Sequence, residues 1–203
     1  LQPSAIALNA INAKSNKKVG VWEGQVKVTN VARKSVNSSF ATPFYKKAEV
    51  KDMYNQLSLT LKGGFVLEFR AYDEGAAYRI VSRQSKPYLV MNETVEFNFA
   101  GDYKAFVPYV NDNRSGERYC YSFESYYDEA PLSVMFADSL AITPLLVDLG
   151  NGKKATLMEA GLENYPGMFL KKGEGNALVA EFAPVPLAEV IGGHAELNLI
   201  PTE

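Results

Sequence analysis

A chain of 203 residues with 47% hydrophobic and 12% aromatic content carries enough apolar side chain for one large core or two small ones, which excludes a disordered protein. The formal charge of -2 gives no electrostatic reason to expect a nucleic-acid or anionic-membrane partner. No apolar run approaches the roughly 20 residues that a membrane-spanning helix needs, and the lone cysteine, Cys120, forbids an intrachain disulfide.

Along the chain, period-two alternation dominates. Residues 4–11 are apolar enough for either helix or strand, and residues 19–29 predict a strand. The best helical candidate is residues 46–54. Leu57, Leu59 and Leu61 then share one face of a strand, and Phe65, Leu67 and Phe69 share one face of the next. Lys62-Gly63-Gly64 between them predicts a tight hairpin. Asp73-Glu74-Gly75 predicts a second, with Gly75 supplying a positive φ before Ala77-Tyr78-Arg79-Ile80-Val81 returns. Val95, Phe97 and Phe99 face one way while Glu96 and Asn98 face the other. The polar run of residues 111–117 predicts an exposed loop, and further strands are expected at 105–110, 119–123, 145–149, 155–158, 178–182 and 196–200.

More than ten short strands without a strand–helix–strand rhythm predict an all-β fold, antiparallel sheets packed as one β-sandwich over residues 1–203. Leu1 is not a methionine, and the last strand runs straight into Pro201, so both ends are expected to be cut from a longer polypeptide.

Most catalytic constellations are missing. The single histidine, His194, lies in a Gly-Gly-His-Ala turn, and Cys120 alternates with a ring-bearing strand face. Neither has the partners that a nucleophile–base pair or a zinc site requires. The local carboxylate pairs Asp73/Glu74, Glu93/Glu96 and Glu159/Glu163 suit a turn, a strand's outer face and a solvated helical face respectively.

The most informative stretch is Thr156-Leu157-Met158-Glu159-Ala160-Gly161-Leu162-Glu163-Asn164-Tyr165-Pro166-Gly167-Met168-Phe169-Leu170. A strand breaks there at an acid, makes one expected helical turn and is stopped by Pro-Gly. An acid at a strand end, in a segment stiffened by Pro166-Gly167, suits a ligand contact.

Two segments together resemble one family. Leu67-Glu68-Phe69-Arg70-Ala71-Tyr72-Asp73-Glu74-Gly75-Ala76-Ala77-Tyr78-Arg79 resembles the signature hairpin of the N-terminal domain of glycoside hydrolase family 97. The Glu159-to-Leu170 stretch resembles that domain's later signature, with supporting matches at Tyr54-Asn55-Gln56-Leu57 and Glu93-Thr94-Val95-Glu96-Phe97.

The resemblance implies a galactose-mutarotase-like antiparallel β-super-sandwich, followed in the parent polypeptide by a catalytic (β/α)8 barrel and a small β-domain. It implies an exported, periplasmic glycosidase acting on an oligosaccharide or glycoside, with α-galactosidase favoured over α-glucosidase. It further implies that this domain packs on its own barrel, carries no catalytic residue itself, and donates Glu159 to an active-site calcium ion, Ca2+. Calcium takes six to eight oxygens, so one glutamate would form only part of that shell. The segment alone is then expected to be inactive.

A different class is a free-standing carbohydrate-binding β-sandwich, with Trp22, Tyr165 and Phe169 as sugar-stacking platforms, although aromatics in a sandwich are mostly packed inside. A mutarotase-like epimerase would need histidine partners that His194 alone serves badly.

Overall fold

The computed structural model describes residues 2–19, 26–110, 119, 123, 125–163, 165–191 and 197–201. The expectations for Trp22, Cys120, His194 and the loop at 111–117 lie outside these residues. The described chain is all-β and antiparallel throughout, the fold class expected from its alternation. Its first strands are β1 (Ile6–Asn12), β2 (Lys18–Val19), β3 (Val28–Ala41), β4 (Glu49–Leu61), β5 (Phe65–Ala71), β6 (Ala76–Ser82) and β7 (Tyr88–Asn98). Then follow β8 (Lys104–Val107), β9 (Asp128–Pro131), β10 (Leu145–Gly150), β11 (Lys153–Leu157), β12 (Met168–Lys172), β13 (Ala177–Phe182), β14 (Pro186–Ile191) and β15 (Leu197–Pro201). Leu132–Val134 forms a single 3-10 turn. Cα packing groups the chain into two compact units, Ala7–Asn92 on one hand and Leu1–Ile6 with Glu93–Glu203 on the other.

The Ala7–Asn92 unit is built on the meander β3-β4-β5-β6. The Lys62-Gly63-Gly64 hairpin forms as expected, because Gly63 (φ 109) and Gly64 (φ 82) occupy conformations that side chains disfavour. The second hairpin also forms, closed by Tyr72 N–H donating to the Gly75 carbonyl at 2.8 Å. Gly75, however, does not adopt a positive φ. It sits at the last position of the turn, where an ordinary backbone conformation suffices.

The helix expected at residues 46–54 is absent: β4 runs from Glu49. Cross-strand pairing with β3, from Ala41↔Glu49 to Val28↔Leu61, takes the backbone hydrogen bonds that a helix would have kept local. Residues 6–12 resolve the first ambiguity as strand.

The signature hairpin carries a polar network on one sheet face. Gln56, nearly buried, donates to Ser58 Oγ (3.0 Å) and accepts from Arg70 Nε (3.2 Å). The Arg70 guanidinium lies 4.2 Å above the Tyr54 ring. Glu68 pairs with Arg79 Nε at 2.7 Å. Burial alone would raise the Glu68 carboxyl, but the Arg79 bond and charge, the Ser58 hydroxyl and the Arg70 charge outweigh it and hold the group below the ordinary glutamate range.

In the other unit, β11-β10-β8-β9 form one sheet. β12 pairs with β13, which pairs with the end of β7. Strict alternation buries Ala105 and Val107 on β8, Leu145 and Val147 on β10, and Met168 and Leu170 on β12. A bridge through Ala141 ties Tyr109 to Leu170. Leu132, Leu145, Leu170 and Leu178 are completely buried and form the heart of this core.

Two stability outcomes follow from this packing. Leu170→Ala removes a fully enclosed side chain and is expected to cost about 3 kcal/mol in chemical denaturation. Glu68→Gln is expected to cost about 1 kcal/mol at pH 7, the Arg79 side of the pair being solvated. Because the folded-state pKa of Glu68 is lowered, the unfolded chain binds its proton first as pH falls, so this stabilisation is present above the unfolded value and disappears through the folded one. Denaturation curves of wild type and variant should therefore converge in acid; a constant difference from pH 7 to pH 2 would contradict the ion-pair account.

Candidate functional site

β11 ends at Leu157, and the chain then leaves the sheet until β12 begins at Met168. The helical turn expected after Glu159 does not form. Gly161 takes a left-handed φ of 68, and Glu163 N–H closes a tight turn by donating to the Gly161 carbonyl at 2.8 Å. A left-handed residue at that point breaks the run of right-handed dihedrals a helical turn needs. Glu163 is consequently exposed in a loop and does not share a helical face with Glu159.

Glu159 folds back across the loop it opens. Its two carboxylate oxygens accept from the Met168 N–H, at 3.0 Å and 2.9 Å. The side chain thereby closes the loop at its base, joining the residue that leaves β11 to the first residue of β12. Gly167 lies beside the carboxylate: a Cβ there would meet Glu159 Oε1 at 3.6 Å, an ordinary van der Waals contact.

Glu159 is half-buried. Desolvation raises its carboxyl above the ordinary glutamate range, with the Met168 hydrogen bond pulling the other way and losing. A carboxyl shifted by burial at a loop of this kind is a candidate functional group. Met158 and Leu162 near it are 66% and 51% exposed.

The loop has a second tie that the sequence did not disclose. Tyr165 Oη donates to Glu93 Oε2 on β7 at 2.5 Å, and its ring packs edge-on against Phe182 of β13 at 5.9 Å. Glu93 and Tyr165 are 72 residues apart, and only the strand order brings them together. The other acid of that sequence pair, Glu96, accepts instead from Ala5 N–H at 3.2 Å. Phe169 is half-buried and packs against Tyr119 at 5.5 Å. Both rings considered as sugar platforms and described here thus have protein partners.

A calcium shell requires six to eight oxygens. Among the described residues no group of three or more His, Cys, Asp or Glu converges. The Glu159 carboxylate fits the part of a single contributor: two oxygens offer about four lone-pair positions, and the shared Met168 N–H leaves some of that capacity for a cation.

The comparisons with known proteins agree with this architecture. The domain family described as Glycosyl-hydrolase 97 N-terminal matches residues 1–189. The chain is 38% identical over 207 aligned residues to a retaining alpha-galactosidase from Bacteroides thetaiotaomicron, covering 100% of this chain and 30% of that protein. Among solved structures it is similar to a glycoside hydrolase family 97 enzyme from a Pseudoalteromonas species in complex with acarbose, with a TM-score of 0.70 and 23% identity over 89% of this chain and 27% of that one. It is also similar to a beta-arabinopyranosidase, with a TM-score of 0.71 and 21% identity over 100% of this chain and 33% of that one. These two likenesses speak for the fold, while the family match covers both signature segments, the hairpin and the Glu159 loop. The chain belongs to the glycosyl-hydrolase 97 N-terminal family.

Proposed function

We propose that this domain serves a calcium-dependent α-glycoside hydrolase of the retaining α-galactosidase type. In this reading it packs on a catalytic (β/α)8 barrel of the same polypeptide and presents Glu159 as one ligand of an active-site calcium ion. The chain spans 30% of the length of the α-galactosidase it matches. Proton transfer and nucleophilic attack are assigned to carboxylates of the barrel, and none to this domain. Preference for α-galactosides rests on the 38% identity to that relative, and export to the periplasm rests on the family resemblance.

The observation that carries the reading is the Glu159 carboxylate, half-buried at a strand end and held by one backbone amide. When bound, calcium supplies a Lewis-acidic charge that positions substrate oxygens and assists departure of the leaving group. Within this chain, Met168 N–H anchors the carboxylate at the base of the loop, and Gly167 lies beside it. Met158 and Leu162 offer an apolar rim that packing against the barrel would cover, excluding water around the ligand. Such orientation in advance reduces the ordering cost of completing a metal site across an interface.

Glu159→Gln in the intact polypeptide tests this. The amide oxygen still accepts from Met168, and the charge that burial disfavours is gone. A group whose folded pKa is raised destabilises the fold as pH rises above its unfolded pKa. The variant's melting temperature in chelator at pH 7 is therefore expected to equal or exceed that of wild type. Its calcium dissociation constant should rise by about tenfold or more, with a matching loss of turnover at limiting calcium. Residues 1–203 alone should hydrolyse no aryl α-galactoside. A variant that follows the wild-type calcium titration would remove Glu159 from the site.

A further inference from the structure

We propose that the Tyr165–Glu93 hydrogen bond is the device that positions Glu159, making Tyr165 and Glu93 positioning residues for the calcium site; this rests on the reading of Glu159 as a ligand. Glu159 opens the loop and Met168 closes it. Ala160, Gly161, Leu162 and Glu163 are all exposed, and the left-handed Gly161 contributes no side chain. The Met168 amide anchors the carboxylate at one point only, and a single shared donor leaves the plane of the carboxylate free to turn about that contact.

Tyr165 supplies the missing constraint. Its hydroxyl reaches Glu93 Oε2 on β7 at 2.5 Å, and its ring rests against Phe182 on β13. Those two strands belong to one hydrogen-bonded ladder, in which Val179 pairs with Glu96 and Ala177 with Asn98. The tyrosine is therefore pinned to two adjacent strands of a rigid sheet. From Tyr165 the fixed φ of Pro166 carries the chain directly to Gly167. Gly167 is the residue that lies against Glu159 Oε1, with a Cβ there meeting it at 3.6 Å. The tie thus fixes the course of the chain beside the carboxylate.

A phenol-to-carboxylate bond of this length is charge-assisted and directional, well suited to fixing a loop. Outer contacts that orient a ligand typically change metal affinity by about 10- to 100-fold when removed.

The test uses the intact polypeptide, stripped of metal, in four forms: wild type, Tyr165→Phe, Glu93→Gln and Glu159→Gln. Calcium alone is titrated by calorimetry, and melting is followed in chelator. Tyr165→Phe retains the ring on Phe182 and deletes only the hydroxyl. It is expected to raise the calcium dissociation constant about tenfold, with a KM for substrate at saturating calcium close to wild type. Glu93→Gln keeps an accepting oxygen and should give a smaller rise in the same direction.

If Glu159→Gln weakens calcium binding while Tyr165→Phe and Glu93→Gln leave it at the wild-type value, the positioning role is overturned and the ligand role stands. If Glu159→Gln also leaves calcium binding unchanged, the ligand role falls and takes this proposal with it. A Tyr165→Phe variant that changes KM or melting temperature alone, at unaltered calcium affinity, likewise overturns the proposal. Should Tyr165→Phe fail to fold, the Glu93→Gln titration decides by the same criterion.

Discussion

The contact on which the site depends is the hydrogen bond from the Met168 backbone to the Glu159 carboxylate. It joins Glu159, two residues beyond the end of β11, to the first residue of β12, and so closes a glycine-containing loop at its base. The same contact holds a glutamate where desolvation raises its carboxyl, which is intelligible if that carboxylate is to be presented to a cation.

The scaffold behind this contact is rigid for ordinary reasons. β12 is buried at Met168 and Leu170, pairs in register with β13, and is tied through Ala141 to Tyr109. A ligand mounted on the first residue of such a strand inherits the strand's order. The Ala7–Asn92 unit keeps its own polar device, with Gln56, Glu68, Arg70 and Arg79 satisfying one another on the signature hairpin. Gln56 is buried and Glu68 largely so, and leaving either unpaired would be costly, so their bonds favour the register of β4 and β5.

Much of this was legible in the chain itself, and the misses have a common cause. Leu57, Leu59 and Leu61 and their partners Phe65, Leu67 and Phe69 announced two strands, and the paired glycines announced the turn between them, because those signals are local. Glu159 stood out because an acid, an aromatic and Pro-Gly follow a strand in close succession. What failed depended on distant partners. Residues 46–54 look helical until β3 lies alongside. The turn after Glu159 is decided by a left-handed Gly161, whose dihedral no neighbour dictates. The Tyr165–Glu93 bond spans 72 residues and could be found only once β7 and β13 were known to be adjacent.

The central claim is that the Glu159 carboxylate directly ligates calcium while retaining its backbone anchor. A crystal structure of the intact polypeptide with calcium, with the ion identified by anomalous scattering, tests it most directly. The account predicts an ion within about 2.3–2.6 Å of a Glu159 carboxylate oxygen, with Met168 N–H still donating to that side chain. An ordered calcium ion whose shell is complete without Glu159, or a Glu159 side chain left within the domain and bound only to Met168, would contradict it.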